Sequence, residues 1–212
     1  MQKIVLLGPT GNNADVLDAI DEINALRPTY DVLGYVRGDG HLVPRVKLQF
    51  LGDYDAVHRM PEDILIAGFA FGVKTYRSWP DTVARFGFPP DRFATIVHPR
   101  AYISPRSQIG HGSIILAGTT LGADVTVGNH VVILQNVALS HDTVIEDFSC
   151  VTVGVAFTGN VRIGKNCFIG TNATLAASIG QGSLIGAGTV IRHEVPPEEV
   201  WVGNPGRFLR KG

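Results

Sequence analysis

Residues 107–128 read SQIGHGSIILAGTTLGADVTVG, and an apolar residue stands at every sixth position of this stretch. The same spacing runs without a slip over a much longer segment of the chain. Its positions are Val97, Ile103, Ile109, Ile115, Leu121, Val127, Ile133, Leu139, Ile145, Val151, Phe157, Ile163, Ile169 and Leu175. The spacing resumes at Ile179, Ile185 and Ile191, after a corner at 176–178 that is two residues short.

The six-residue period fits neither a single strand nor a helix. Side chains of a strand alternate at every second residue, whereas those of a helix return to one face about every 3.6 residues. Short strands joined by tight turns do fit, with one apolar side chain per segment pointing inward, which is the pattern of a hexapeptide β-helix. With three hexapeptides per triangular turn, equivalent residues stack on successive rungs about 4.8 Å apart. Because such a coil has flat faces, we expect its reactive sites between neighbouring subunits.

The overall composition excludes several classes of protein. Of 212 residues, 45% are hydrophobic and 17% are charged, and the net charge is −1. This balance gives no electrostatic argument for binding nucleic acid or an anionic membrane surface. The two cysteines, Cys150 and Cys167, show neither metal-ligand spacing nor a disulfide framework. No apolar run approaches the roughly 20 residues of a membrane helix, so we expect no membrane insertion and a cytoplasmic protein.

Residues 1–92 carry a different pattern, which predicts a small α/β (Rossmann-like) domain in front of the β-helix domain at 93–212. Apolar runs and one amphipathic segment alternate here, as in an open α/β sheet. The predicted elements are strands at 3–7, 31–36 and 64–71 and helices at 14–26 and 72–86. The boundary falls in the Pro/Gly segment 86–91, and the chain continues directly into the repeat, so we expect the two domains to be docked.

The loop after the first strand, Gly8 to Asn13, is a candidate ligand site, because ligands of open α/β sheets bind at the carboxyl ends of the strands. Gly8 and Gly11 permit close approach there, and the helix N-terminus favours an anion. Two glycines fall short of a dinucleotide fingerprint, so a plain structural turn is an alternative. Arg37, at the end of the second strand, permits another reading, because a basic residue there accepts the 2′-phosphate of NADP.

Four histidines lie in or beside the coil: His98, His111, His130 and His141. A histidine at a turn is usually a solvated or hydrogen-bonded surface residue. His141 differs because Asp142 follows it, and a carboxylate on one imidazole nitrogen orients the ring and leaves the other nitrogen to accept a proton. One rung further on stands Gly159, whose bare backbone can offer an N–H to a developing oxyanion.

Three segments together resemble a known family. They are ALSHDTVIEDFS at 138–149, GNVRIGKNCFIG at 159–170 and WVGNPGR at 201–207. The chain resembles the sugar O- and N-acetyltransferases that include the sialic acid O-acetyltransferases and the bacterial nucleotide-amino-sugar N-acetyltransferases. The resemblance covers the whole chain and implies a small α/β domain, a left-handed parallel β-helix, a homotrimer and acetyl-CoA as donor, with no metal. It implies that His141 and Asp142 carry the chemistry.

The same resemblance implies the binding residues. Acetyl-CoA contacts would fall at Cys150, Thr171 and Ala187, with backbone at Gly159. The acceptor residues would be Gly8, Thr10, Gly11, Asn12, Arg37 and Phe69.

Several positions depart from the family pattern. Cys150 stands where the family has a second histidine near the thioester, and Leu134 stands where it commonly has asparagine. In the first domain, Asn12 replaces a histidine, Arg37 replaces acidic residues, and Phe69 replaces an asparagine. We therefore expect a retained donor site and a rebuilt acceptor pocket.

The sequence thus predicts an enzyme that moves acetyl from acetyl-CoA to an amine or hydroxyl of a nucleotide-linked sugar, with His141 as general base. Two alternatives remain. Zinc-dependent carbonic anhydrases share this coil, but their paired histidines, five apart, are absent, since His130 and His141 are eleven apart. A trimeric nucleotide-binding protein without catalysis is the other alternative, because polar family residues are missing at 12, 37, 69, 134 and 150.

Overall fold

The computed structural model describes residues 1–8, 11–38 and 47–212. The strands of the N-terminal part (residues 1–92) are β1 (Gln2–Leu7), β2 (Tyr30–Arg37), β3 (Phe50–Asp53) and β4 (Leu65–Ala67), and its helices are α1 (Asn12–Leu26) and α2 (Trp79–Phe86). The four strands form one parallel sheet in the order β3-β2-β1-β4. Three 3₁₀ turns, Tyr54–Arg59, Tyr76–Ser78 and Pro90–Arg92, complete this part. None of the helices in these ranges is long and apolar enough to cross a membrane.

Helix α1 and strand β1 follow the sequence pattern closely. The helix begins at Asn12, directly after Gly11, and buries Val16 and Ile20 against the sheet. The last four residues of β1 are buried. The apolar periodicity therefore located both elements to within two residues.

Two strands differ from the sequence prediction. The predicted strand at 64–71 is only Leu65–Ala67, because Gly68 takes a φ of +99°, which ends the strand. Strand β3, Phe50–Asp53, was not predicted at all. It is a four-residue edge strand with no buried residue, so no period-two alternation marks it. Of the predicted helix at 72–86, only α2 is α-helical, and Pro80 lies in its first turn.

The second part of the chain is a parallel β-helix, called here the coil, and it confirms the hexapeptide prediction. Its two-residue strands β5–β20 are Ile96–Val97, Tyr102–Ile103, Gln108–Ile109, Ile114–Ile115, Thr120–Leu121, Thr126–Val127, Val132–Ile133, Ala138–Leu139, Val144–Ile145, Cys150–Val151, Ala156–Phe157, Arg162–Ile163, Phe168–Ile169, Thr174–Leu175, Leu184–Ile185 and Val190–Ile191. They form three parallel sheets. Strands β21 (Glu199–Val202) and β22 (Arg207–Lys211) close the end as an antiparallel pair.

The register of the coil follows the repeat. Thr126 pairs with Val144, and Val132 pairs with Cys150, eighteen residues on. After the short corner at 176–178 the offset falls to sixteen, as in the pairing of Phe168 with Leu184. The predicted two-residue deletion is confirmed.

A ladder of side-chain hydrogen bonds and a recurring left-handed backbone conformation mark the corners of the coil. Small hydroxyl residues below the strands donate to backbone carbonyls of the next rung, as Ser113 Oγ does to Gly128 O at 2.8 Å and Ser149 Oγ to Gly164 O at 2.9 Å. At the turns, residues with φ between 54° and 62° recur, among them Asp124, Asp142 and Asn160. Asp and Asn tolerate this left-handed conformation better than other side chains. The same conformation at equivalent positions therefore repeats the geometry of the corner from rung to rung.

The N-terminal part packs directly on the outer side of the eight-stranded sheet of the coil. One apolar cluster contains residues of both, including Ile4 and Trp79 together with Ile114, Val132 and Cys150. The ring of Tyr76 lies 5.5 Å from that of Phe168. This continuous core confirms that the two parts are docked.

Candidate functional site

The His–Asp pair occupies a corner of the coil, residues 140–143, between the six-stranded and the four-stranded sheets. We call it the His141 corner. His141 Nδ1 lies 2.7 Å from Asp142 Oδ2, which fixes the plane of the ring. The side chains are 58% and 53% exposed, so both groups are open to an incoming molecule. Nε2 has no hydrogen-bond partner among residues 1–8, 11–38 and 47–212, and it is left to accept a proton.

Gly159 supports the ring from the next rung, as the stacking arithmetic predicts. A Cβ added at this glycine would lie 2.5 Å from Cε1 and 2.6 Å from Nε2 of His141. The backbone is joined across the rungs by the N–H of Asn160, which donates to His141 O at 3.0 Å. Gly159 N–H donates no hydrogen bond to any described residue. The corner thus places a proton acceptor beside a free backbone donor.

Thr171 and Ala187 lie together on a different corner. This Thr171 corner, between the eight-stranded and the six-stranded sheets, carries both residues exposed and one rung apart, and the N–H of Gly188 donates to Thr171 O at 2.8 Å. Thr171 Oγ1 is also 3.2 Å from Thr152 Oγ1. The coenzyme contacts that the resemblance implies at Gly159 and at Thr171 and Ala187 therefore lie at two separate edges of the chain.

Cys150 does not lie with either group. Its side chain is 3% exposed and packs beneath the N-terminal part, in the same apolar cluster as Leu134. Burial raises the pKa of the thiol to about 12. The assignment of a coenzyme contact to Cys150 by resemblance therefore needs correction for this chain, because the side chain is covered and forms part of the core.

A cleft of about 440 Å³ opens at the carboxyl ends of β1, β2 and β4. It brings together five of the six residues that the resemblance suggests for the acceptor: Gly8, Gly11, Asn12, Arg37 and Phe69. Thr10 lies outside the described residues. The guanidinium of Arg37 stands 4.9 Å from the centre of the Phe50 ring. The position of the cleft is that expected for a ligand site of an open α/β sheet.

Asn13, the last residue of the loop that the sequence marks as a candidate site, lines this cleft, and so do Tyr54 and Phe71, which the sequence did not indicate. Phe71 lies 5.0 Å from Phe69, ring centre to ring centre. Burial raises the pKa of Tyr54, which keeps its hydroxyl neutral. Asn13 belongs to the predicted loop, but nothing in its sequence position indicates that its side chain turns inward. Tyr54 follows the unpredicted strand β3, so its placement carried no signal either.

The histidines of the coil are not gathered into a metal site. His130 stands on the third corner, between the four-stranded and eight-stranded sheets, away from His141. Its ring is stacked on Phe148 at 5.2 Å and meets the edge of Phe93 at 4.7 Å. Within the described ranges, no three His, Cys, Asp or Glu residues are close enough to hold a metal ion. The arrangement offers acid–base chemistry at His141.

The chain thus combines a parallel β-helix of hexapeptide repeats, a His–Asp pair at an open corner and an α/β cleft in front. The family model described as "Hexapeptide repeat of succinyl-transferase" matches residues 106–135 and 160–192. No curated protein sequence matches the chain.

Several solved structures are similar to the chain over nearly its whole length, acetyltransferases among them. The acetyltransferase domain of PglB from Neisseria gonorrhoeae, in complex with acetyl coenzyme A, shares 25% identity, with 98% of this chain and 99% of that chain covered and a TM-score of 0.82. A mutant of GDP-perosamine N-acetyl transferase from Caulobacter crescentus, in complex with CoA and GDP-perosamine, shares 22% identity (99% and 97% covered, TM-score 0.83). WeeI from Acinetobacter baumannii shares 22% (99% and 100%, TM-score 0.80). The resemblance read from the sequence is thereby confirmed.

Proposed function

We propose that this protein transfers an acetyl group from acetyl-CoA to an amine or hydroxyl of a nucleotide-linked sugar. The single observation that carries the proposal is the His141 corner, where Nδ1 is held by Asp142 at 2.7 Å and Nε2 faces Gly159. The likeness to the PglB domain, which was solved with acetyl coenzyme A, supports the choice of donor. The Caulobacter enzyme, solved with GDP-perosamine, supports the choice of a nucleotide-linked acceptor.

In the proposed reaction, the acceptor nitrogen or oxygen attacks the thioester carbonyl while His141 Nε2 removes its proton. The new C–N or C–O bond forms first, and the tetrahedral oxyanion is stabilised by the free N–H of Gly159. The C–S bond then breaks, and the proton on Nε2 passes to the departing sulfur, so that CoA leaves as a thiol. Asp142 holds the ring in the reactive tautomer and stabilises the imidazolium during the transfer.

We further propose a homotrimer with a left-handed coil, in which each donor site is shared between two chains. The support is geometric: the His141 corner and the Thr171 corner lie on different edges of one chain, and both are exposed. In a threefold assembly, His141 and Gly159 of one chain would face Thr171 and Ala187 of the next. Cytoplasmic location follows as part of the same proposal, since acetyl-CoA is the donor.

The acceptor is assigned to the cleft of the N-terminal part, which we propose is a Rossmann-like domain. Gly11 and Asn12 stand at the N-terminus of α1, where backbone N–H groups and the helix dipole favour phosphate, and Gly8 lines the cleft at the end of β1. Arg37 and Phe69 line the opposite walls. The charge of Arg37 suits an anionic group, and the apolar wall that Phe69 forms with the more exposed Phe71 suits a nucleobase or sugar face. Thr10 is retained in the proposal from the resemblance alone.

The test is acetyl transfer from acetyl-CoA to a panel of UDP-, GDP- and dTDP-linked amino and hydroxy sugars, followed through release of the CoA thiol. His141→Ala is expected to lower kcat by roughly 10²- to 10⁴-fold, the usual contribution of a general base. His111→Ala is the matched control, because His111 is also an exposed histidine at a coil corner but lies away from His141. Near-normal turnover by His141→Ala with a good acceptor would refute the assignment.

A second candidate is a nucleotide-binding trimer without catalysis. It is favoured by the burial of Cys150 and Leu134, which places apolar packing where the related enzymes have polar groups. That protein would bind nucleotides in the cleft but release no CoA with any acceptor. Measurable turnover by the wild type, lost in His141→Ala and kept in His111→Ala, excludes it.

A further inference from the structure

The side chain of Asn13 is buried at the point where the ends of β1 and β4 meet. It is 7% exposed, although it lies in the first turn of α1 and borders the cleft. Its Nδ2 donates to Leu7 O at the end of β1 and to Phe69 O, 2.8 Å away, just beyond β4. Its Oδ1 accepts from Phe69 N–H at 3.1 Å. One carboxamide therefore joins a helix start to two strand ends.

The two glycines beside these strand ends make room for that carboxamide. Gly8 and Gly68 both have positive φ, +97° and +99°. A Cβ on Gly68 would lie 2.5 Å from Asn13 Oδ1, and one on Gly8 would lie 3.2 Å from Asn13 Nδ2. The sequence suggested that Gly8 lets a ligand approach the backbone, but its open side is occupied by a side chain of the protein. Gly8, Gly68 and Asn13 therefore form one closely packed, hydrogen-bonded unit, called here the Asn13 lock.

The Asn13 lock affects the shape of the cleft through Phe69. Both backbone groups of Phe69 are bound to Asn13, so the main chain at this residue has little freedom. Phe69 lines the cleft although only 6% of it is exposed, and its ring is 5.0 Å from that of Phe71, which in turn lies 5.6 Å from Trp79. Movement of the Phe69 backbone would therefore shift the cleft wall while leaving the coil and its His141 corner in place.

We infer that Asn13 is a positioning residue, whose carboxamide fixes the Gly68–Phe69 segment and so sets the shape of the acceptor cleft. The inference rests on the proposed function for its kinetic consequence, since the acceptor is assigned to that cleft. It predicts an effect confined to acceptor binding. Acetyl-CoA binding and the proton transfer at His141 depend on the coil and are expected to remain unchanged.

The chain offers a matched control at the other end of the same helix. Asn24 Nδ2 donates to Tyr30 O at 2.8 Å, and its Oδ1 accepts from Thr29 N–H and Tyr30 N–H, both at 2.9 Å. It makes the same kind of bridge between α1 and a strand, but at the start of β2, away from the cleft. Asn24→Ala therefore removes comparable bonds without touching the acceptor side of the sheet.

The experiment compares Asn13→Ala and Asn24→Ala for melting temperature, kcat and both KM values. Asn13→Ala is expected to raise the acceptor KM roughly tenfold, with kcat and the acetyl-CoA KM within about twofold of wild type. Asn24→Ala should lower the melting temperature but leave all kinetic constants unchanged. An unchanged acceptor KM in Asn13→Ala, or an equal rise in both variants, would overturn the inference. If Asn13→Ala does not fold, Asn13→Ser, which keeps one donor, gives the same comparison.

Hydrogen exchange separates this inference from the proposed function. The Phe69 amide is expected to be protected in the wild type and in Asn24→Ala, and to exchange at least tenfold faster in Asn13→Ala. If the wild type acetylates no nucleotide-linked sugar, the proposed function fails, yet the exchange rate still tests the Asn13 lock. Unchanged protection of Phe69 in Asn13→Ala would refute it whatever the activity.

Discussion

Replacing Gly159 by alanine tests the architecture of the His141 corner without removing any catalytic group. Gly159 does not have a positive φ, so its backbone accepts alanine. The new Cβ would stand 2.5 Å from His141 Cε1, whereas carbon atoms in contact are about 3.5 Å apart or more. The ring must therefore move by about 1 Å. A displacement of this size at a reacting group costs roughly 100-fold in rate, or about 2.7 kcal/mol of barrier.

The assay is CoA release with the best acceptor found for the wild type. Gly159→Ala should lose about 100-fold in kcat while its free energy of unfolding stays within about 0.5 kcal/mol, because the exposed ring can swing away without disturbing the core. Gly72→Ala is the control, since a Cβ there would meet no atom within 4 Å.

The double variant identifies the cause of the loss. If Gly159→Ala acts by displacing the ring, then adding it to His141→Ala should lower the rate no further. Wild-type activity in Gly159→Ala would refute the stacking argument. A further loss in the double variant would show instead that the glycine acts on its own, through its N–H.

Three other predictions follow from the same geometry. Asp142→Asn should lower kcat by roughly 10- to 100-fold, less than His141→Ala, because the ring keeps a neighbour but loses the negative charge that orients and stabilises it; a loss equal to that of His141→Ala would contradict this ranking. Burial lowers the pKa of His130 from 6.5 to about 4, an effect that nearby Asp147 opposes and His111 reinforces. The unfolded chain therefore takes up a proton that the folded chain does not, and urea titrations should show about 1 to 2 kcal/mol less stability at pH 5 than at pH 7, a loss absent from His130→Asn. Finally, burial raises the pKa of both cysteine thiols to about 12, so at pH 8 a thiol reagent should label neither in the folded protein and both after denaturation; rapid labelling of the folded protein would show that the core at Cys150 is open.

The fold of the coil could be predicted almost completely because its signal is local. The direction of a side chain is set by its place within six residues, so the inward set, the corners and even the short turn at 176–178 could be counted along the chain. The N-terminal sheet could be predicted less completely from the sequence. Strand β3 lies at its edge with no buried residue, and β4 ends at Gly68 three residues after it begins, so neither shows a complete alternation.

The candidate site was also predicted only in part: the spacing located the His141 corner correctly, whereas the surroundings of Cys150 could not be predicted. His141 and Asp142 are neighbours in the sequence, and Gly159 follows His141 by eighteen residues, which is one turn of the regular repeat. Their proximity could therefore be predicted from the spacing alone. Cys150 was assigned by alignment with related proteins, which carries no information about what covers a position in this chain. The apolar residues that bury it come from the N-terminal part as well as from the coil.

The sequence by itself determined the hexapeptide coil, its register and the pairing of His141 with Asp142, because each depends on spacings that a regular repeat converts directly into space. Only the tertiary structure decided how the cleft is built. Asn13 and Phe69 are 56 residues apart, and their contact depends on how α1, β1 and β4 pack. No local period encodes such a contact, so the shape of the acceptor side emerges only once the N-terminal sheet has formed.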